Sequence, residues 1–207
     1  MKLNRLSFVF LSFLGLAALL LPAPVVSAHA PQAEAAPGKT PVVIYILRHA
    51  EKPVGEGKDP NLTPQGYQRA RAIPSLFVMA PGATQPARFP RPDYLFATEA
   101  SKGSNRPIET ITPLAQTLHL KINHDFADTE TAPLAKELLG GKYAGKVVVI
   151  AWHHGEIPHL AQALGVAKAP RKWDPDVFDQ IWQIRWVDGQ AQLTILPQRL
   201  LPGDSQQ

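Results

Sequence analysis

Apolar residues come in blocks along this chain of 207 residues, and the blocks switch between two periods. Val42-Val43-Ile44-Tyr45-Ile46-Leu47 is too continuously apolar for a half-exposed strand and predicts a central strand covered on both faces. Residues 146–151 repeat that signature, residues 93–98 supply a strand carrying Tyr94, Leu95 and Phe96, and residues 121–124 a short fourth one. Helical spacing fills the gaps. Thr63 followed by Pro64 reads as an N-cap with proline at the first helical position, opening a helix that reaches at least Arg71 and is disturbed at Pro74. A helix over 105–119 places Ile108, Ile111, Leu114, Ala115 and Leu118 on one face, with a kink expected at Pro113. Shorter helices are predicted over 132–139 and 158–164, and residues 180–187 and 190–196 flank the hairpin signal Asp188-Gly189. Alternating strands and helices predict an α/β three-layer sandwich, with a mostly parallel central sheet, helices on both faces and a closing antiparallel hairpin.

The pattern excludes the two ends of the chain's first forty residues from that domain. Lys2 and Arg5, the apolar stretch 6–21 and Val26-Ser27-Ala28 match the three regions of an export signal, so residues 1–28 are expected to be cleaved, leaving a periplasmic or secreted protein with no stable membrane insertion. An uncleaved anchor is the alternative, since the stretch approaches the shorter end of a membrane span at about 17 residues. Residues 29–40 are rich in Ala and Pro and read as a flexible spacer, with the folded domain occupying 41–207. Removing the leader lowers the formal charge from +4 by the two cations Lys2 and Arg5, and no basic block remains to suggest a nucleic acid partner. The absence of cysteine rules out a thiol nucleophile, thiolate zinc sites and disulfides.

Three basic elements fall where strands should surface: Arg48-His49 after the first strand, Arg106 opening the helix after the second, and His154-Gly155 after the fourth apolar block. In open α/β sheets ligands collect at the carboxyl ends of the strands. A phosphoryl group in transfer spreads negative charge over its equatorial oxygens, and guanidinium forks, a charged imidazole and a helix amino end suit it. Singly, Arg106 also reads as a solvated first-turn residue and His154 as a hydrogen-bonded core histidine.

Together, the segments Leu47-Arg48-His49-Ala50-Glu51, Leu62-Thr63-Pro64-Gln65-Gly66-Tyr67-Gln68-Arg69-Ala70, Asn105-Arg106-Pro107-Ile108-Glu109-Thr110 and Val148-Val149-Ile150-Ala151-Trp152-His153-His154-Gly155 resemble the histidine phosphatase superfamily, the phosphoglycerate mutase-like family. The resemblance is to the branch carrying Arg-His-Ala or Arg-His-Gly. It implies His49 as a nucleophile that becomes phosphohistidine, with Arg48, Arg106 and His154 holding phosphate oxygens, and it implies neither cofactor nor metal. The substrate implied is a small phosphorylated metabolite or envelope glycan, and an exported protein rarely meets the bisphosphorylated primer a mutase needs. For the general acid the resemblance favours Glu130, with Asp128, Asp125 and Glu156 as alternatives; Glu51 is expected to orient the pocket and His153 to pack behind it. Lys52, Lys58, Arg88 and Arg91 lie in predicted loops as candidates for a basic rim. Two other functions compete: a non-catalytic phosphoglycan-binding module on the same fold, and a metal-dependent hydrolase using His153, His154, His159 and Glu156.

Overall fold

The computed structural model describes residues 38–54 and 59–205, so the proposed leader, most of the spacer and Lys58 lie outside the described residues. A six-stranded sheet runs in the order β3-β2-β4-β1-β5-β6, built from β1 (Val43–Arg48), β2 (Tyr94–Thr98), β3 (Ile122–Phe126), β4 (Val147–Trp152), β5 (Gln180–Val187) and β6 (Gln190–Pro197). The first four strands are parallel, and β5 and β6 close the sheet antiparallel beside β1. The expected alternation is therefore present, with β3 displaced two residues beyond its expected end; a register shift between Phe96 and Thr98 accompanies its pairing with β2.

β1 and β4 are buried at every position, as their unbroken apolar runs require. Alternate side chains point to opposite faces. Ile44, Ile46, Val148, Ile150 and Trp152 pack with Leu134, Leu138 and Leu160 from α4 (Thr131–Leu139) and α5 (Ile157–Ala163). Val43, Tyr45, Leu47, Val149 and Ala151 pack with Leu76, Phe77, Ile111 and Leu114 from α2 (Pro74–Phe77) and α3 (Arg106–Leu118). Each such side chain stabilises the fold by about 1.5–3 kcal/mol relative to exposure. Helix α3 runs from Arg106 to Leu118 with Pro113 inside it. The hairpin turn is as expected: Asp188 and Gly189 both have positive φ, 52° and 77°, and Val187 pairs with Gln190, the two-residue geometry that matches strand twist.

One local device sets the entrance to the site. Thr63 caps α1 (Pro64–Ala72) by accepting the Gly66 N–H, while its own N–H and hydroxyl donate to the Glu51 carbonyl. A Cβ on Gly66 would lie 2.5 Å from that carbonyl oxygen, so only glycine allows the helix to sit against the segment that follows β1.

Candidate active site

Arg48 pairs in register with Trp152, and this alignment places the residues after each strand side by side. The His49 N–H donates to the Trp152 carbonyl (3.0 Å), and the His49 and His153 rings meet edge to face with centroids 5.3 Å apart. His49 is 2 % exposed. Its Nδ1 lies 2.7 Å from the Ala50 carbonyl, which can only accept, so Nδ1 carries the proton and Nε2 presents a lone pair. Burial above all, then the charges of Arg48, His153 and Arg106, depress its pKa to about 2. The imidazole is therefore neutral and nucleophilic across the physiological range.

Arg48 is buried completely; its Nη1 donates to the carbonyls of Pro175 (2.5 Å) and Val177 (3.0 Å), and its guanidinium lies 3.8 Å from the Phe178 ring centre. Burial lowers its pKa to about 10, which leaves it charged. Its other edge, Nε and Nη2, is buried and has no partner among the described residues. Arg106 opens α3 and donates to the carbonyls of Asp59 (3.1 Å) and Gly103 (3.3 Å), with Nε again buried and unpartnered among the described residues. His154 Nδ1 is the third such group. Burial, then the charges of Arg48, Lys52 and His153, lowers the His154 pKa below the ordinary histidine value. At neutral pH the ring is thus neutral, whereas the sequence suggested a charged imidazole.

Thr110 links two parts of this arrangement. Its hydroxyl accepts the Ala50 N–H (2.8 Å) and donates to the Arg106 carbonyl (2.7 Å), tying the segment that carries His49 to the first turn of α3. Thr110 and Arg69 stand inside segments the sequence singled out, yet neither carried an assigned role. Glu51 does orient its surroundings: its carboxylate takes three contacts from Arg69, at 2.8, 3.0 and 3.2 Å.

The candidate acids occupy different settings. Glu130 is exposed, and its Oε2 accepts the Ala127 N–H (2.8 Å), closing its own turn before α4. Asp125 is exposed on β3. Glu156 Oε2 pairs with His159 Nδ1 at 2.9 Å. Asp128 Oδ1 lies 3.0 Å from His153 Nδ1, off the line of a directed hydrogen bond, so the contact is electrostatic. Among the described residues no three His, Asp or Glu side chains gather as metal ligands, so the set His153, His154, His159 and Glu156 is not assembled. Arg88 and Arg91 hold the carbonyls of Pro197, Gln198 and Leu118, and Arg91 precedes β2 at the opposite end of the parallel strands from His49.

No family model and no curated protein matches this sequence. Solved structures do share its fold. An alpha-ribazole phosphatase from Shigella flexneri superimposes with a TM-score of 0.53 at 14 % identity, covering 77 % of this chain and 98 % of that one. A phosphoserine phosphatase mutant from Entamoeba histolytica in complex with phosphoserine gives 0.53 at 13 % identity, covering 77 % and 98 %. The Entamoeba phosphatase with 3-phosphoglyceric acid gives 0.51 at 15 % identity, covering 77 % and 99 %. The chain has the fold of these phosphatases. Within this fold Arg48 ends β1, His49 and His154 follow the carboxyl ends of β1 and β4, and Arg106 opens the helix after β2, so all four lie at the carboxyl end of the parallel strands.

Proposed function

We propose that this protein is a phosphomonoesterase that works through a phosphohistidine at His49. The observation that carries the reading is the set of buried donors left open around a neutral imidazole: Arg48 Nε and Nη2, Arg106 Nε and His154 Nδ1. Buried polar groups normally find partners, and leaving one unsatisfied costs about 1–3 kcal/mol. Four in one place are a ready cradle for an anion with several acceptor oxygens. Arg48 presents the Nε/Nη2 edge that binds two oxygens at once, while Pro175, Val177 and Phe178 hold its opposite side still.

In this reading His49 Nε2 attacks phosphorus, the leaving oxygen departs opposite it, the guanidiniums neutralise charge on the non-bridging oxygens and His154 Nδ1–H donates a hydrogen bond to one of them. Water then attacks the phosphohistidine, returning the electron pair to Nε2 and releasing phosphate. The chemistry is written without a metal or cofactor. The leader-like residues 1–28 support an exported enzyme of the histidine acid phosphatase type acting on small phosphorylated metabolites or envelope glycans.

The test is pre-steady-state hydrolysis of p-nitrophenyl phosphate. A burst of nitrophenol, with acid-labile phosphate recovered on the peptide containing His49, is the expected result. Tight phosphate binding with no burst and no labelled protein would instead describe a binding module.

A further inference from the structure

Among the described residues, His153 meets the nucleophile, a hydroxyl and a carboxylate at once. Its ring stands edge to face against His49 (5.3 Å), its Nε2 is 3.0 Å from Ser104 Oγ, and its Nδ1 is 3.0 Å from Asp128 Oδ1. The three partners arrive from three loops at the carboxyl ends of β1, β2 and β3. Asp128 is held there through its backbone, since the Trp152 indole N–H donates to its carbonyl (2.9 Å). Ser104 is 6 % exposed, and its hydroxyl also accepts the Arg106 N–H at 3.4 Å. Glu130, by contrast, spends its carboxylate on the Ala127 N–H, and Glu156 spends its own on His159.

We propose that His153 donates the proton to the leaving group and that Asp128 is its positioning residue. The proposal rests on the phosphomonoesterase reading of the same site. Nδ1–H faces Asp128, and Nε2–H rests on Ser104 Oγ until the leaving oxygen of the substrate takes its place. As the His49 Nε2–P bond forms and the P–O bond breaks, the His153 Nε2 proton moves to the departing alkoxide, which leaves as an alcohol. His153 is left neutral, with its Nδ1–H still beside the Asp128 carboxylate. In the second half it takes a proton from the attacking water as the P–N bond breaks, which restores the starting state and completes ester plus water to alcohol plus phosphate. The groups that face His153 are the His49 ring, the Ser104 hydroxyl and the Asp128 carboxylate, with His154 next along the chain.

Two substrates differing in leaving-group basicity separate this role from simple packing. His153→Gln is expected to lose at least about 30-fold more kcat/KM on glycerol 2-phosphate than on p-nitrophenyl phosphate, because the nitrophenolate needs little proton assistance. Asp128→Asn should show a smaller bias of the same kind and move the alkaline limb of the pH profile to lower pH. Its His153 imidazole, followed by NMR, should titrate about one unit lower than in wild type, a readout independent of turnover. Glu130→Gln should show no leaving-group bias. Equal losses of His153→Gln on both substrates, a bias confined to Glu130→Gln, or an unmoved His153 titration in Asp128→Asn would each overturn the proposal while the phosphatase reading stands. Failure of the wild type to form phosphohistidine from p-nitrophenyl phosphate would overturn both.

Discussion

Arg48 and Arg69 are both buried, yet the two guanidiniums are treated in opposite ways. Arg69 reaches Glu51 with Nε and Nη2, Asp204 with Nη1 (2.9 Å) and Nη2 (2.8 Å), and Gln198 with Nη1 (3.1 Å). Burial opposes its charge, but the hydrogen bonds it donates to Asp204 and Glu51 outweigh that and push its pKa up. The same bonding holds Asp204 below its ordinary value against the effect of burial. Among the described residues Arg48 hydrogen-bonds to no carboxylate, only to two carbonyls with an aromatic face on one side, and burial outweighs the more distant charges of Asp176, Asp174 and Glu51, so its pKa goes down. A guanidinium occupied on every edge belongs to the fold; one braced on a single edge leaves the other open.

The largest effect that sharpens this contrast comes from the centre of the open region. His49→Ala is expected to reduce phosphomonoester hydrolysis by on the order of a thousandfold or more, with no acid-labile phosphate on the protein and an unchanged circular dichroism spectrum. Wild-type turnover by that variant would remove His49 from the chemistry.

Exchanging the two arginines' fates comes next. Arg69→Ala removes the guanidinium shared by Glu51 and Asp204 and should lower unfolding free energy by about 3 kcal/mol while the folded fraction stays active. Arg48→Met should do the reverse, costing about 1 kcal/mol or less in urea unfolding but at least a hundredfold in kcat/KM. Val177 O keeps the Trp173 indole N–H (2.8 Å) in that variant, which limits the damage to the loop. If both variants lose stability and activity alike, the division between structural and functional arginine fails.

Legibility in the sequence follows the same division. The strand ends that carry Arg48, His49 and His154 were readable because β1 and β4 are unbroken apolar runs, buried at every position, and their ends are sharp. The α1 cap was readable from Thr63 and Pro64, since the physics of a cap is local. Arg69's partner Asp204 is 135 positions away in a Pro-Gly-Asp-Ser segment that reads only as a turn, and no local pattern announces it. The loop that braces Arg48 is similarly distant; Trp173 and Phe178 in an otherwise polar stretch were its signal. The contact of Asp128 with His153 was equally hidden, because β3 ends two residues beyond its expected end and sequence spacing alone cannot rank Glu130, Asp128 and Asp125.

A milder change tests whether the open edge needs a fork or only a charge. Arg106→Lys keeps the cation but loses the planar Nε, so about 2 kcal/mol of transition-state stabilisation, roughly thirtyfold in kcat/KM, should go. A lysine variant indistinguishable from wild type would place Arg106 outside the phosphate cradle.

The smallest expected effect appears in stability rather than rate, and it asks whether the open region is as dry as its geometry implies. The unfolded chain protonates His49 near its ordinary value of 6.5, whereas the buried ring in the folded protein stays neutral down to about 2. Below pH 6.5 the unfolded state therefore binds the extra proton, and folding stability falls as pH falls, by up to about 1.4 kcal/mol per pH unit from this group. Above pH 6.5 both states are neutral and the contribution is flat. His154, also depressed, acts in the same direction but is common to wild type and variant. Urea unfolding of wild type and His49→Asn at pH 7.5 and 5.5 isolates the His49 share: the wild type should lose about 1.4 kcal/mol more than the variant over that interval. Equal losses would mean that His49 takes up its proton in the folded state, and that the cradle around it is wet enough to hold a charged imidazole beside Arg48.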